Sequence, residues 1–146
     1  MGSAEIHEYL RNLDFEAAGK LTLPDLLEKR TRATPDAIAV RSPAGHMSFR
    51  EWLDGAKAIS ARLRQAATYR PDTPVLVWVD TADCRKVVCA QHGVADSACI
   101  MAPLDDRLSL TEVKRFAKDV AATAVIVSRG LLLAHKDEDL REFSLD

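Results

Sequence analysis

Three short, unbroken apolar runs, separated by two helical patterns, constrain the fold of this chain most strongly. The runs occupy residues 75–79, 98–102 and 124–127, and none of them alternates apolar with polar residues. Continuous runs of this length are typical of strands buried on both faces of a parallel sheet. Parallel neighbours need a long crossover, which is almost always right-handed. Residues 74–128 therefore predict an α/β fold, a layered parallel-sheet βαβαβ unit with flanking helices.

Length and composition allow one domain with a real core and exclude several classes of protein. The chain has 146 residues, of which 47% are hydrophobic, and a chain of this size buries roughly 70% of its unfolded surface. A net charge of −2 indicates no nucleic-acid surface, and no apolar run approaches the roughly 20 residues of a membrane helix. The polar N-terminus lacks a signal sequence, so we expect a cytoplasmic protein with Cys84, Cys89 and Cys99 as buried, reduced thiols.

Two amphipathic helices are predicted ahead of the central unit. The first has apolar residues at the spacing i, i+3, i+4, i+7 and needs a partner surface for them. These residues are Ile6, Tyr9, Leu10 and Leu13. The second helix starts at the capping residue Thr22 and ends before Pro35. Its expected buried stripe comprises Leu23, Leu26 and Leu27.

A hairpin and a long helix are predicted next. Residues 36–41 indicate a strand, residues 42–45 a turn, and His46 and Met47 a short return strand. Ser48 and Glu51 form a capping box that starts the helix. Its expected buried face comprises Phe49, Trp52, Leu53, Ala56, Ile59 and Leu63. Its expected solvent face comprises Arg50, Asp54, Lys57, Arg62 and Arg64.

Caps also mark the remaining helices. Asp80 or Thr81 is expected to cap the helix after the first core strand. The apolar face of that helix comprises Cys84, Val87, Val88 and Val94. Ser109 and Glu112 form another capping box. The helix that follows should direct Leu110, Val113, Phe116, Ala117 and Val120 towards the sheet. Residues 131–133 indicate a last helix, and residues 135–146 form a highly charged tail.

No residue stands in a sequence pattern that identifies it as catalytic, cofactor-binding or metal-binding. The six glycines are scattered, and they form no glycine-rich loop of the kind that binds phosphate. Asp80, Asp105 and Asp106 follow core strands, at the edge where ligands of open α/β sheets bind. We interpret Asp80 as a helix cap and the pair as a solvated turn. The alternative for the pair is a metal or acid/base site.

The remaining polar and aromatic candidates have ordinary structural interpretations. The four histidines are isolated in sequence, although distant residues can still meet in a fold. They are His7, His46, His92 and His135, and we interpret them as surface or helix-face residues. Trp52 and Trp78 lie in patterns typical of a core, and Lys57, Arg62 and Arg64 in patterns typical of a solvated face.

The order of three segments, residues 23–27, 34–40 and 47–53, resembles the opening of acyl-adenylate-forming enzymes. This superfamily comprises acyl-CoA synthetases, luciferases and the adenylation domains of peptide synthetases. Its early motif reads leucine-threonine-tyrosine-x-glutamate-leucine. Ser48 stands here for the threonine, Phe49 for the tyrosine, Glu51 for the glutamate and Trp52 for the last leucine.

Residues 98–105 resemble the second motif of the superfamily, a glycine, a strand and proline-leucine-aspartate. The sequence departs from the family pattern in three places. Ala98 replaces the usual glycine, and Asp106 stands where a proline is common. The connection before the first core strand, residues 68–73, lacks the glycine that is often found there.

The resemblance covers roughly residues 21–128 and implies the N-terminal, incomplete subdomain of a longer ligase over residues 21–146, with a helical extension over residues 1–20. The implied enzyme activates a carboxylic acid with ATP and magnesium. It then passes the acyl group to coenzyme A or to carrier-protein pantetheine. The phosphate loop, the acidic magnesium ligand and the catalytic lysine come later in the family. We therefore expect this chain alone to be inactive and to need the remainder of the ligase as its partner.

Two other hypotheses stay open at this stage. One is a stand-alone, non-catalytic homologue that acts as a binding or assembly module. The other is a small flavodoxin-like nucleotide binder, which fits the βαβ pattern but would need a phosphate loop. Oligomeric state discriminates a fragment from a module, because a cut domain exposes apolar surface or a sheet edge and self-associates.

Overall fold

The computed structural model describes residues 21–134, and the expectations for residues 1–20 and for the charged tail, with His7 and His135, lie outside this range. Ten elements follow one another in this part of the chain. They are α1 (Leu23–Ala33), β1 (Ile38–Ser42), β2 (Gly45–Ser48), α2 (Phe49–Gln65), β3 (Pro74–Trp78), α3 (Cys84–Asp96), β4 (Ile100–Pro103), α4 (Leu110–Asp119), β5 (Ala124–Val127) and α5 (Arg129–Ala134). No helix in this range is long and apolar enough to span a membrane.

The three apolar runs form a parallel sheet in the order β4-β3-β5, as the sequence predicts. Leu76 of the central strand lies opposite Ala102 on one side and Val125 on the other. The expectation that all three strands are buried on both faces is wrong for β4, where Ile100 is 54% exposed. Both β4 and β5 are edge strands, each with a neighbour on one side only, and an apolar run cannot show which edge residues the helices leave uncovered.

Alternation along β3 divides the core into two layers. Val75, Val77 and Val79 pack on one face of the sheet with residues of α2 and α3, including Leu63 and Val94. The intervening residues of β3 pack on the other face, against α4 and α5. The buried residues of this second layer are Leu76, Trp78, Leu110, Val113, Ala117 and Val125. The sheet is therefore covered by helices on both faces, as continuous apolar strands require.

The predicted hairpin is a separate two-stranded antiparallel sheet, in which Arg41 lies opposite His46. It leads directly into α2, whose start is the predicted capping box. The Glu51 amide donates to Ser48 Oγ over 3.2 Å, and the Ser48 amide donates to a Glu51 carboxylate oxygen over 2.7 Å. The family's early motif is thus a helix start, with a structural role in this chain.

Helix α3 starts differently from the prediction. Its N-cap is Asp83, and the expectation that Asp80 or Thr81 caps it is wrong. Asp80 accepts a hydrogen bond from the Ala82 amide over 2.9 Å, and the Thr81 hydroxyl donates to the Asp106 carboxylate over 2.6 Å. Both side chains are therefore engaged in the loop, and the helix begins later in the sequence.

Several expectations of burial are also wrong. Leu23 is 50% exposed and Leu26 is 42% exposed, whereas Leu27 and Thr31 form the buried side of α1. Val120 is 40% exposed because α4 ends at Asp119. The three cysteines are only partly buried, and so are several residues predicted for the buried faces of α2 and α3. These residues are Phe49, Trp52, Leu53, Ile59, Cys84, Val87 and Val88. Ile59 and Val87 nevertheless pack against the buried core, as predicted.

The crossing of α2 and α3 depends on a close approach at Gly93. A Cβ atom at this position would lie 2.6 Å from Ile59 and 2.9 Å from the Ala56 carbonyl oxygen. Side chains wider than a hydrogen atom would therefore force these two helices apart. This contact is a product of the tertiary structure, because Gly93 and its neighbours in α2 are far apart in sequence.

Helices α3 and α4 end in the same hydrogen-bonded motif. Ala98 has a φ of +60° and Ala121 a φ of +51°, in the left-handed region that favours glycine. After α3, the amides of Ala98 and Cys99 donate to Ala95 and Val94 carbonyl oxygens over 3.0 and 3.2 Å. These two bonds define a Schellman motif, in which glycine is the usual residue at the left-handed position.

Candidate functional site

The loops after the three parallel strands meet at the carboxyl edge of the sheet. The Thr81 amide and hydroxyl both donate to the Asp106 carboxylate, over 2.9 and 2.6 Å. The Asp80 amide donates to Ser128 Oγ over 3.2 Å. The loop after β3 is thus hydrogen-bonded to the loops after β4 and β5. Asp106, which stands where the family commonly has proline, supplies one of these links.

The carboxylates at this edge each have their own partner. Asp105 forms a bidentate pair with Arg107, with 2.9 Å from Nε to Oδ1 and 2.6 Å from Nη2 to Oδ2. The bonds from Arg107 lower the pKa of Asp105, and the bonds from Thr81 lower the pKa of Asp106. Within residues 21–134, no group of three or more histidine, cysteine, aspartate or glutamate side chains could hold a metal ion. These contacts support the interpretation of the pair as turn residues.

These strand ends do not fit a nucleotide. The loops after β3 and β4 contain no glycine, so they lack the close backbone approach on which phosphate cradles depend. Arg107 binds the carboxylate of Asp105, and Thr81 donates to the carboxylate of Asp106. The two carboxylates are therefore not directed at one shared ion. Residues 21–134 therefore supply no group to which a step of ATP or magnesium chemistry can be assigned.

An open cleft of about 530 Å³ lies beside the same edge. It is bounded by the hairpin, α2, α3 and the end of β5. Apolar side chains form part of its lining, namely Met47, Ile59, Val79, Cys89, Ala90, Ile126 and Val127. Polar and charged side chains form the rest of it, namely His46, Glu51, Asp83, Arg85, Lys86, Ser128 and Arg129. Ligands of open α/β sheets generally bind in this region, which makes the cleft the candidate site.

Hydrogen bonds and ion pairs satisfy much of the charge around the cleft. Arg85 donates from Nε and Nη2 to the two oxygens of buried Asp83, over 2.8 and 2.9 Å. The pair lowers the pKa of Asp83 and raises that of Arg85. Glu51 is engaged in its capping box. Lys86 and Arg129 form no ion pair within residues 21–134, which gives the cleft cationic character.

The cleft contains no assembled nucleophile and base. Burial raises the pKa of the Cys89 thiol, and its Sγ lies 3.7 Å from Met47 Sδ rather than beside a base. His46 is exposed and lies 3.5 Å from an Arg41 nitrogen. The arrangement can bind a molecule with an apolar part, but it lacks the geometry of covalent or general-base catalysis.

The other histidine in the described range, His92, has a structural place between α2 and α3. Its ring stands edge-on to Trp52 at 4.6 Å between centroids, and its Nδ1 lies 3.2 Å from the Val88 carbonyl oxygen. Burial lowers the pKa of His92, because the charged form loses hydration there. Trp52 donates from Nε1 to the same carbonyl over 3.1 Å. Both rings therefore help to join the two helices.

Lys57 has a role that sequence reasoning missed. The pattern of α2 placed it on an ordinary solvated face. In the structure its Nζ lies 2.8 Å from Glu28 of α1 and 2.7 Å from Asp96 of α3. It thus joins three helices, and these hydrogen bonds raise its pKa. Helical periodicity could indicate that Lys57 is exposed, but not that two carboxylates from other helices lie beside it.

The element order and the cleft define a class of protein, a layered α/β fold with a parallel sheet between helices and an open cleft beside its carboxyl edge. Residues 27–144 match the family described as AMP-binding enzyme. This match spans most of the chain, and the chain belongs to the AMP-binding enzyme family. The resemblance to acyl-adenylate-forming enzymes is thereby confirmed.

Similar proteins agree with this membership. Phosphinothricin tripeptide synthetase PhsC from Streptomyces viridochromogenes is 29% identical over 126 residues, which are 86% of this chain and 11% of the synthetase. A mutant form of coronafacic acid ligase from Pectobacterium brasiliense has a TM-score of 0.70 and 17% identity, over 86% of this chain and 24% of that chain. The anthranilate CoA ligase AuaEII, in complex with anthranoyl-AMP, has a TM-score of 0.68 and 22% identity, over 86% of this chain and 24% of that chain. The two structural likenesses show the fold alone, and that fold agrees with the predicted layered α/β unit.

Proposed function

We propose that this chain is the N-terminal portion of an ATP-dependent ligase that activates a carboxylic acid as an acyl-adenylate. The observation that carries the proposal is the family match over residues 27–144. The acyl group would then pass to a thiol, either coenzyme A or the pantetheine of a carrier protein. In this proposal, the whole ligase uses ATP, magnesium and the thiol, and the whole ligase is cytoplasmic.

The proposed partner is the remainder of the ligase. The chain spans 11% of its peptide-synthetase relative and 24% of the two ligases, so those proteins contain much more than the part matched here. Among residues 21–134, the strand ends hold no phosphate cradle and the cleft holds no catalytic pair. We therefore assign a scaffold role to this chain and the nucleotide chemistry to the remainder of the ligase. The remainder lies in the same polypeptide or in a second chain.

The test compares ATP–pyrophosphate exchange by the purified chain with exchange by the protein encoded when the reading frame is followed past Asp146. We expect no carboxylate-dependent exchange from the chain alone and exchange from the longer protein, or from the chain mixed with a separate remainder. Coenzyme A and a phosphopantetheinylated carrier protein are then supplied in parallel to identify the acceptor. Robust exchange by the isolated chain would overturn the scaffold role, and no exchange by any longer form would overturn the ligase.

A further inference from the structure

The parallel sheet has two edges, and the edge at β4 is poorly suited to a further strand. The amides of Ile100 and Leu104 donate to carbonyl oxygens on the side of β3, over 3.0 and 2.9 Å. Amides alternate in direction along a strand, so those of Met101 and position 103 face away from β3. Position 103 is a proline, which has no N–H to donate. Met101 therefore supplies the single outward amide of this strand.

The edge at β5 is suited to a further strand. Within residues 21–134, β5 pairs only with β3, and it contains no proline. Trp78 lies opposite Val127, and the Ser128 amide donates to the Trp78 carbonyl oxygen over 3.3 Å. By the same alternation, the amides of Val125 and Val127 face away from β3. The outer side of β5 thus presents a regular row of donors and acceptors, the kind of edge to which a strand can add.

The connections between the strands indicate where the chain continues after β5. Helix α3 covers the face of Val75 and Val77 as the chain moves from β3 to β4, and α4 covers the opposite face as the chain returns to β5. Opposite faces combined with opposite directions belong to one hand, that of the right-handed crossover. Helix α5 packs on the same face as α4, through Leu131 and Leu132. A right-handed connection on this face moves in the direction from β4 to β5, so its next parallel strand lies beyond β5.

We propose that the outer edge of β5 receives a parallel β-strand from the remainder of the ligase, which continues the sheet. The inference rests on the proposed function, because the remainder supplies that strand. A parallel crossover needs about a dozen or more residues, and positions 129–146 already exceed this length. We therefore assign the strand to the sequence encoded beyond Asp146.

The added strand would also extend the wall of the cleft. Ile126 packs with the layer between the sheet and helices α2 and α3, and it lines the cleft together with Ile59. Neighbouring strands lie about 4.8 Å apart, so apolar side chains of the added strand on this face would continue the apolar lining. Arg129 directly follows the end of β5 and forms no ion pair within residues 21–134. Since parallel strands end at the same edge, an acidic residue at the end of the added strand would complement it.

Hydrogen exchange, resolved to single amides by mass spectrometry with electron-transfer fragmentation, tests the proposal. It compares the 146-residue chain with the longer protein encoded when the reading frame is followed past Asp146. We expect the amides of Val125 and Val127 to exchange at least about tenfold more slowly in the longer protein, because they gain hydrogen bonds. The Met101 amide is the matched control on the other edge, and its rate should change by less than about twofold. Unchanged exchange at both valines, or equal slowing at Met101, would overturn the proposal.

A backbone substitution provides a second readout and keeps the side chain. Replacing Val127 by its α-hydroxy acid analogue converts one amide into an ester and removes only the N–H. In the longer protein, the Val125 amide should then exchange about fivefold faster, because a neighbouring bond to the added strand is lost. The same ester in the 146-residue chain, and an ester at Met101 in either protein, should leave Val125 unchanged. Equal effects of the two esters on Val125 in the longer protein would refute the strand.

ATP–pyrophosphate exchange by the same longer protein separates this inference from the proposed function. An active protein in which the β5 amides exchange as fast as in the shorter chain would refute the added strand and leave the ligase intact. Slow exchange of those amides in a protein without pyrophosphate exchange would support the strand and overturn the ligase.

Discussion

Replacing Ala98 and Ala121 by glycine should stabilise this protein, although each change removes a methyl group. Both residues have left-handed φ values, of +60° and +51°, and both are exposed, so their methyl groups bury little surface. The left-handed conformation costs a residue with a Cβ atom roughly 1–2 kcal/mol. Glycine avoids that cost but loses roughly 0.5–1 kcal/mol more conformational entropy on folding.

Subtracting the entropy cost of glycine from the cost of the left-handed conformation leaves a gain in folding stability of about 0.5–1 kcal/mol at each site. The sites are in different helices, so the double variant should gain about 1–2 kcal/mol. For a domain of this size, that gain corresponds to a rise in Tm of about 3–6 °C. Urea unfolding followed by circular dichroism measures the free energy, and calorimetry measures Tm.

The matched control is Ala58→Gly, an exposed alanine inside α2. It removes the same methyl group from a right-handed helical residue and should cost about 1 kcal/mol. The reasoning would be refuted if Ala98→Gly and Ala121→Gly destabilised the protein as Ala58→Gly does. That result would mean that the two helices do not end in left-handed residues.

Three further changes test the contacts between helices and the helix caps. Gly93→Ala should destabilise by about 2–3 kcal/mol in urea unfolding because its methyl group would overlap α2. Lys57→Met should cost about 1 kcal/mol because it leaves two carboxylates on neighbouring helices without their cation. The capping bonds lower the pKa of Glu51. The stabilisation that the Glu51 carboxylate provides is therefore present above the unfolded pKa of about 4.3 and is lost as the pH falls through the folded pKa. Glu51→Gln should accordingly lose less stability than the parent between pH 7 and pH 3.

Two of these changes have a control variant within the same chain, and Glu51→Gln is compared with the parent protein. Gly130→Ala should be neutral or slightly stabilising because no atom lies within 4 Å of the added methyl position. Arg50→Met removes an exposed pair with Asp36 and should cost less than Lys57→Met. Equal effects of the two glycine changes, equal effects of the two methionine changes, or parallel pH profiles for parent and Glu51→Gln would contradict the respective explanation.

Local signals in the sequence were sufficient for most elements. The Ser48–Glu51 and Ser109–Glu112 capping boxes start α2 and α4 at the predicted residues. The hairpin and the three parallel strands also occur where apolar runs and turn residues indicate them. A cap and a short apolar run depend on neighbours within a few residues, so they are readable from the sequence itself.

The N-cap of α3 could not be predicted from neighbouring residues alone. Asp80, Thr81 and Asp83 are all plausible caps by residue type. Thr81 does not cap the helix because Asp106, on another loop, accepts its hydrogen bonds. The cleft likewise collects residues from the hairpin, two helices and a strand that no sequence spacing connects. Its lining depends on how these elements pack.

The sequence by itself determined the α/β class, the caps, the family resemblance and the scarcity of phosphate-binding glycines, because these depend on residue type and short-range order. The tertiary structure decided that Ile100 lies on an exposed edge, that Leu23 and Leu26 face outwards, and that Lys57 joins three helices. Whether a residue is buried or ion-paired depends on the surface that packs against it. That surface comes from elements distant in sequence, so only their packing could reveal it.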